Sequence, residues 1–130
     1  GRLRASSPDL AGALTEANLE TLRADVAFLG ADAIDRQGAV YQESPELARM
    51  LTKMAASAGR VFVVADSSKL GKTALWRFGR LQDWAALITD AAAGRSALAS
   101  LRKAGARVIK AQCLATSRRG HRREAVVGGC

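Results

Sequence analysis

The chain has 130 residues, is 48% hydrophobic and carries a formal charge of +8. That is a single domain of ordinary size with enough apolar side chains for a core, and its interspersed charges speak against a dedicated nucleic-acid wrapper. No stretch approaches the roughly 18 consecutive apolar residues of a membrane span, and with only Cys113 and Cys130 and no signal-like leader the expectation is a reduced, cytoplasmic protein without a disulfide framework.

Charge is not uniform along the chain. Residues 1–112 hold 16 Lys and Arg against 11 Asp and Glu, whereas residues 113–130 hold four Arg against one Glu. Gly1 to Arg4 can close a strand, and Ser6-Ser7-Pro8-Asp9 is turn chemistry. Thr15 to Leu22 reads as a short helix with Thr15 as N-cap and Leu19 and Leu22 on one face. Val26 to Leu29 is the first buried strand, ended by Gly30-Ala31-Asp32. Asp35 to Gly38 is a turn, and Ala39 to Tyr41 returns as a short strand.

Ser44-Pro45-Glu46 is a helix start: an N-cap serine, proline at the first helical position and an acid at the positive end. Leu47, Met50, Leu51, Met54 and Ala58 follow at helical spacing as a core stripe, and Gly59 is expected to stop the helix. Val61 to Ala65 is an unbroken apolar run of the kind buried on both faces of a parallel sheet. Thr73 to Leu81 fits either a short helix or an extended connection. Ala85 to Thr89 is the third strand, Gly94 to Ala104 a helix stopped by Gly105, and Arg107 to Ala111 the last strand.

Strand, helix and strand in alternation predict an α/β fold with a mostly parallel sheet flanked by helices. Three strands end alike, at Gly30-Ala31-Asp32, at Asp66-Ser67-Ser68-Lys69 and at Asp90. Parallel strands would set Asp32, Asp66, Lys69 and Asp90 along one sheet edge, where open parallel sheets bind ligands. Gly30 and Ala31 let backbone N–H groups approach a ligand, Asp32 can accept from sugar hydroxyls, and Lys69 suits a phosphate as a point charge. Such a set fits a small anionic, hydroxyl-rich molecule, or proton transfer beside a carbonyl.

Other chemistry is excluded. His121 is the single histidine and lies in the basic tail, so the folded part has no histidine triad or histidine metal site. Gly71-Lys72-Thr73 ends like a P-loop, but the upstream glycine would fall at position 66, which is Asp66. No metal, cofactor or catalytic residue is expected. The run Ser117 to Arg123 has no apolar period and no interleaved aromatic residue, so residues 113–130 are expected to be a disordered basic tail; its arginines could touch nucleic-acid phosphates only non-specifically.

In their order, GRLR at the start, DVAFLGADAID at Asp25–Asp35, VVADSSKLGK at Val63–Lys72 and LITD at Leu87–Asp90 resemble the C-terminal sensor domain of DeoR-type transcriptional repressors. The resemblance covers about residues 1–112, and it implies a Rossmann-like domain similar to ribose-5-phosphate isomerase. It also implies a phosphorylated sugar or related metabolite as effector, with Gly30, Ala31 and Asp32 at the sugar and Lys69 at its phosphate. DNA would be bound only through an N-terminal helix-turn-helix, which this sequence lacks, together with the first strand-loop-helix unit of the sensor. A homo-oligomer is expected of the full-length protein. Three positions depart from the pattern: Leu47-Ala48 stands where the family commonly has Glu-Ala, Ala85 where an Asp is frequent, and Leu29 where the isomerase motif has Asp. An isomerase-like enzyme fragment is the alternative reading.

Overall fold

The structure is a computed structural model, and it describes Arg2–Leu3, Leu10–Ala11 and residues 21–111. Strands β1 (Arg2–Leu3) and β2 (Leu10–Ala11) pair antiparallel. The main body then runs β3 (Ala24–Gly30), β4 (Ala33–Ile34), β5 (Ala39–Gln42), α1 (Pro45–Ser57), β6 (Ala58–Val64), β7 (Trp76–Arg80), β8 (Ala86–Asp90), α2 (Arg95–Lys103) and β9 (Val108–Ala111), with single 3-10 turns at Ser67–Lys69 and Leu81–Asp83. The expected tail 113–130 and the Thr15–Glu20 part of the first expected helix lie outside the described residues. Thr21 and Leu22, which are described, are not helical.

Four strands form a parallel sheet in the order β3-β6-β8-β9. Because the order rises steadily, right-handed crossovers bring α1 and α2 to the same face. Leu29, Val63 and Leu87 alternate onto that face and are essentially fully buried, and Leu51 of α1 and Leu101 of α2 join them in one cluster. On the opposite face Phe28 lies directly across from Phe62, their rings stacked at 5.6 Å, with the Arg60 guanidinium 5.2 Å from the Phe62 ring. Val26, Phe28 and Ile109 remain exposed there among the described residues.

A second sheet, antiparallel and ordered β4-β5-β7, was not foreseen as a unit. It settles the ambiguous stretch after Thr73: Trp76–Arg80 is a strand, followed by a 3-10 turn. Trp84 packs against Gly79 so closely that a Cβ at Gly79 would overlap the indole ring at Cη2. Ile34, Val40, Phe78 and Leu81 carry this sheet into the same core.

Helix α1 begins as the sequence dictates. Ser44 is extended, its Oγ accepts from the Leu47 N–H at 3.3 Å, and Pro45 opens the first turn. Its end differs from expectation. Gly59 does not stop the helix but lies inside β6, because the chain turns extended one residue earlier, at Ala58 (φ −110°, ψ 147°). Gly105, with φ +102°, does follow α2 as expected.

Candidate functional site

The carboxyl ends of β3, β6 and β8 all point the same way, so the polar clusters that follow them share one edge. The segment after β6 is built by its own side chains. Asp66 caps the 3-10 turn, its Oδ1 accepting from the Ser68 N–H at 2.9 Å and from the Ser68 hydroxyl. Those bonds, with the charges of Lys69 and Lys72, hold the Asp66 carboxyl below its ordinary range despite some burial that acts in the opposite direction. Gly71, at φ +75°, then lets the chain turn so that the Gly71 and Lys72 N–H groups donate to the Ile34 carbonyl at 2.7 and 3.2 Å.

The neighbouring strands fix this turn in place. Ala65 N–H donates to the Ile88 carbonyl at 3.1 Å, and Ser67 N–H donates to Asp90 Oδ2 at 3.2 Å. Asp90 also accepts from the Ala92 N–H, so its carboxylate serves the backbone on both sides. It stands at the predicted edge, yet it supports the Ser67 turn and does not line the cavity described next.

The segment after β3 is held from β5. Asp32 N–H donates to the Tyr41 carbonyl at 3.0 Å, and Asp32 Oδ2 accepts from the Glu43 N–H at 2.9 Å. A little farther on, Asp35 closes its turn by accepting from the N–H groups of Gln37 and Ala39 and from the Tyr41 hydroxyl, and that last bond raises the Tyr41 phenol above its usual range.

Between the two segments lies an open cavity of about 360 Å³ lined by Gly30, Ala31, Asp32, Gln42, Leu47, Val64, Ala65, Asp66 and Lys69. The four residues expected from the sequence to contact a ligand (Gly30, Ala31, Asp32 and Lys69) are on its wall, as is Asp66. Gly30 is not in the left-handed region, and a Cβ there would meet nothing within 4 Å, so its lack of a side chain serves open space and not packing. Lys72 is exposed and lies off the wall.

Besides the strand-end residues Val64 and Ala65, two further wall residues were not among the candidates. Leu47 was assigned to the core stripe of α1, but it is half-buried and turns one side to the cavity, one residue after Glu46. Gln42 was read only as the end of a short strand; it is 4% exposed, and its Nε2 donates to the Gly30 carbonyl at 3.0 Å. A buried amide with no apolar alternative is the kind of residue a pocket needs, but its burial follows from the antiparallel sheet, which the local pattern does not announce.

Two carboxylates, one ammonium and the Gln42 amide line this space together with small and aliphatic residues. Among the described residues no group of three or more His, Cys, Asp or Glu is placed to hold a metal, and no helix is long and apolar enough to cross a membrane.

Comparison with known proteins identifies the family. The family model described as "DeoR C terminal sensor domain" matches residues 1–91. The chain is 36% identical over 109 residues to the "Putative aga operon transcriptional repressor" of Escherichia coli O157:H7 and 31% identical over 109 residues to the "HTH-type transcriptional regulator GlpR" of Haloferax volcanii. Each alignment takes in 84% of this chain but only 40% and 43% of the respective relatives, so the chain spans about two fifths of their length. The matched range contains both the FLGAD and ADSSK segments and the whole cavity between them, and the chain belongs to the DeoR C-terminal sensor-domain family.

Proposed function

We propose that this chain is the effector-sensing part of a cytoplasmic DeoR-type repressor and takes a small phosphorylated sugar, or a related anionic polyol, in the cavity between the ends of β3 and β6. The observation that carries this reading is the shared wall: Gly30, Ala31 and Asp32 from one strand end and Lys69 from the next surround a space of about 360 Å³. Asp32 Oδ1 and the backbone of residues 30 and 31 serve hydroxyls, and Lys69 takes the phosphate as a point charge. The operon named for the Escherichia coli relative and the HTH-type designation of the Haloferax relative support a role in transcriptional control. In the whole protein, effector binding at this edge would change how DNA-binding domains are held in a homo-oligomer.

The role is binding and not catalysis. Both relatives carry names of transcriptional regulators, which favours binding over an isomerase-like reaction. The sensor domain extends to about residue 112. In support, β9 pairs with β8, and Leu98, Leu101 and Ala106 are buried, all beyond the matched range. Residues 113–130 are then a basic appendage to it.

Calorimetric titration with a panel of sugar phosphates and their unphosphorylated counterparts tests this. At least one phosphorylated member should bind, its parent sugar should bind far more weakly, and Lys69→Ala should remove most of the difference. Indifference of the protein to every member of the panel would sink the reading.

A further inference from the structure

Residues 41, 42 and 43 each hold one atom of the Gly30–Asp32 segment. The Tyr41 carbonyl accepts from Asp32 N–H, Gln42 Nε2 donates to the Gly30 carbonyl, and the Glu43 N–H donates to Asp32 Oδ2. Of the three, only the Gln42 contact is made by a side chain of residues 41–43, and that side chain is buried while lining the cavity. Gln42 reaches from the antiparallel sheet, where its backbone pairs with Trp76, to the last carbonyl of β3 in the parallel sheet. A peptide plane held at its oxygen is held at its nitrogen too. The bond to the Gly30 carbonyl therefore fixes where the Ala31 N–H stands.

We propose that Gln42 is a positioning residue of the effector site: through the Gly30 carbonyl it orients the Gly30–Ala31 peptide toward a sugar hydroxyl. The inference rests on the effector reading of this cavity. Its chemical requirement is a donor at Nε2, because a carbonyl can only accept. The charged groups around the amide are Asp32 and Glu43 from the β3 and β5 ends and Asp66 and Lys69 from the turn after β6.

The requirement can be tested by titration, using Gln42→Glu and Gln42→Met in the full chain. Affinity for a sugar phosphate that binds the parent chain is measured from pH 5 to pH 8 and expressed as a ratio to the parent at each pH, so that titration of the effector and of surrounding groups cancels. Near pH 8 the Glu variant faces the Gly30 carbonyl with a carboxylate and should bind about tenfold more weakly. As pH falls its acid form, favoured by burial, regains a donor and the ratio should return toward one. The Met variant has no proton to regain, and its ratio should stay low across the range. A Glu ratio near one at every pH, or Glu and Met ratios that run parallel, overturns the inference while leaving the effector reading intact. Absence of binding by the parent chain sinks both. If Gln42→Glu does not fold at pH 8, parent-like affinity of Gln42→Met overturns the inference, and its weakened binding, with the Ala31 amide resonance displaced in the free protein, supports it.

Discussion

Gly30→Ala separates the cavity from the fold more cleanly than any other change. Gly30 has no positive φ, and a Cβ built there meets no atom within 4 Å. Alanine can therefore take the native conformation without strain, and it lowers the entropy of the unfolded chain. Stability should hold or rise by about 0.4–1 kcal/mol, a gain of about 2–8 °C in Tm for a domain of this size. The same methyl occupies space at the cavity wall where a sugar hydroxyl would approach the backbone. Displacing the ligand there loses one or two hydrogen bonds, about 1–3 kcal/mol, or about 5- to 150-fold in affinity. Thermal unfolding without effector and calorimetry with it measure the two halves separately. A variant that melts at or above the parent temperature and binds weakly is the expected result. One that binds effector as the parent does would show that the ligand does not approach Gly30, and one that fails to fold would refute the packing argument.

Other outcomes follow from the same geometry. Gly79→Ala puts a methyl into the Trp84 ring at Cη2 and should destabilise by about 1–3 kcal/mol, read as a drop in Tm; combination with Trp84→Ala should recover part of the strain. Lys69→Ala should leave Tm nearly unchanged, since the side chain is only half-buried, while weakening a phosphorylated effector and flattening the salt dependence of its affinity. The Asp66 carboxyl is held below its ordinary value, so it favours the folded state above an unfolded pKa near 3.8, and that contribution fades as pH falls through the lower folded value. Ser68→Ala should accordingly reduce the loss of stability as pH falls below about 3.8, measured by acid-dependent thermal melts, and an unchanged slope would contradict the assignment.

Much of the parallel sheet was legible because its strands are buried runs with polar ends. Val61–Ala65 and Ala85–Thr89 needed no tertiary knowledge to be read as strands, and once they were taken as parallel, Asp32, Asp66, Lys69 and Asp90 fell on one edge. The antiparallel sheet was not legible for a physical reason. In Trp76–Arg80 only Phe78 is buried, Trp76 and Arg77 face outward, and Gly79 is glycine because Trp84 lies on it. None of that appears as a period. Gly59 misled for a related reason: glycine after a helical run ordinarily stops it, but here the helix has already ended and Gly59 sits beside the Asp25 carbonyl, 3.3 Å from where its Cβ would be. Leu47 and Gln42 were missed because cavity walls are made by elements that cross. Leu47 keeps its place in the α1 stripe while turning one side to the pocket, and Gln42 is buried only because β5 runs past the end of β3.

The central claim is that effector binds where β3 and β6 end, and amide chemical-shift mapping tests it most directly. Titrating an isotopically labelled chain with a sugar phosphate that binds should move the resonances of Gly30, Ala31, Asp32 and the Ala65–Lys69 turn first and furthest, with Gln42 beside them. Shifts confined to the opposite end of the sheet, around Arg60, Asp83 and Trp84, where a second cavity of about 380 Å³ opens, would contradict it.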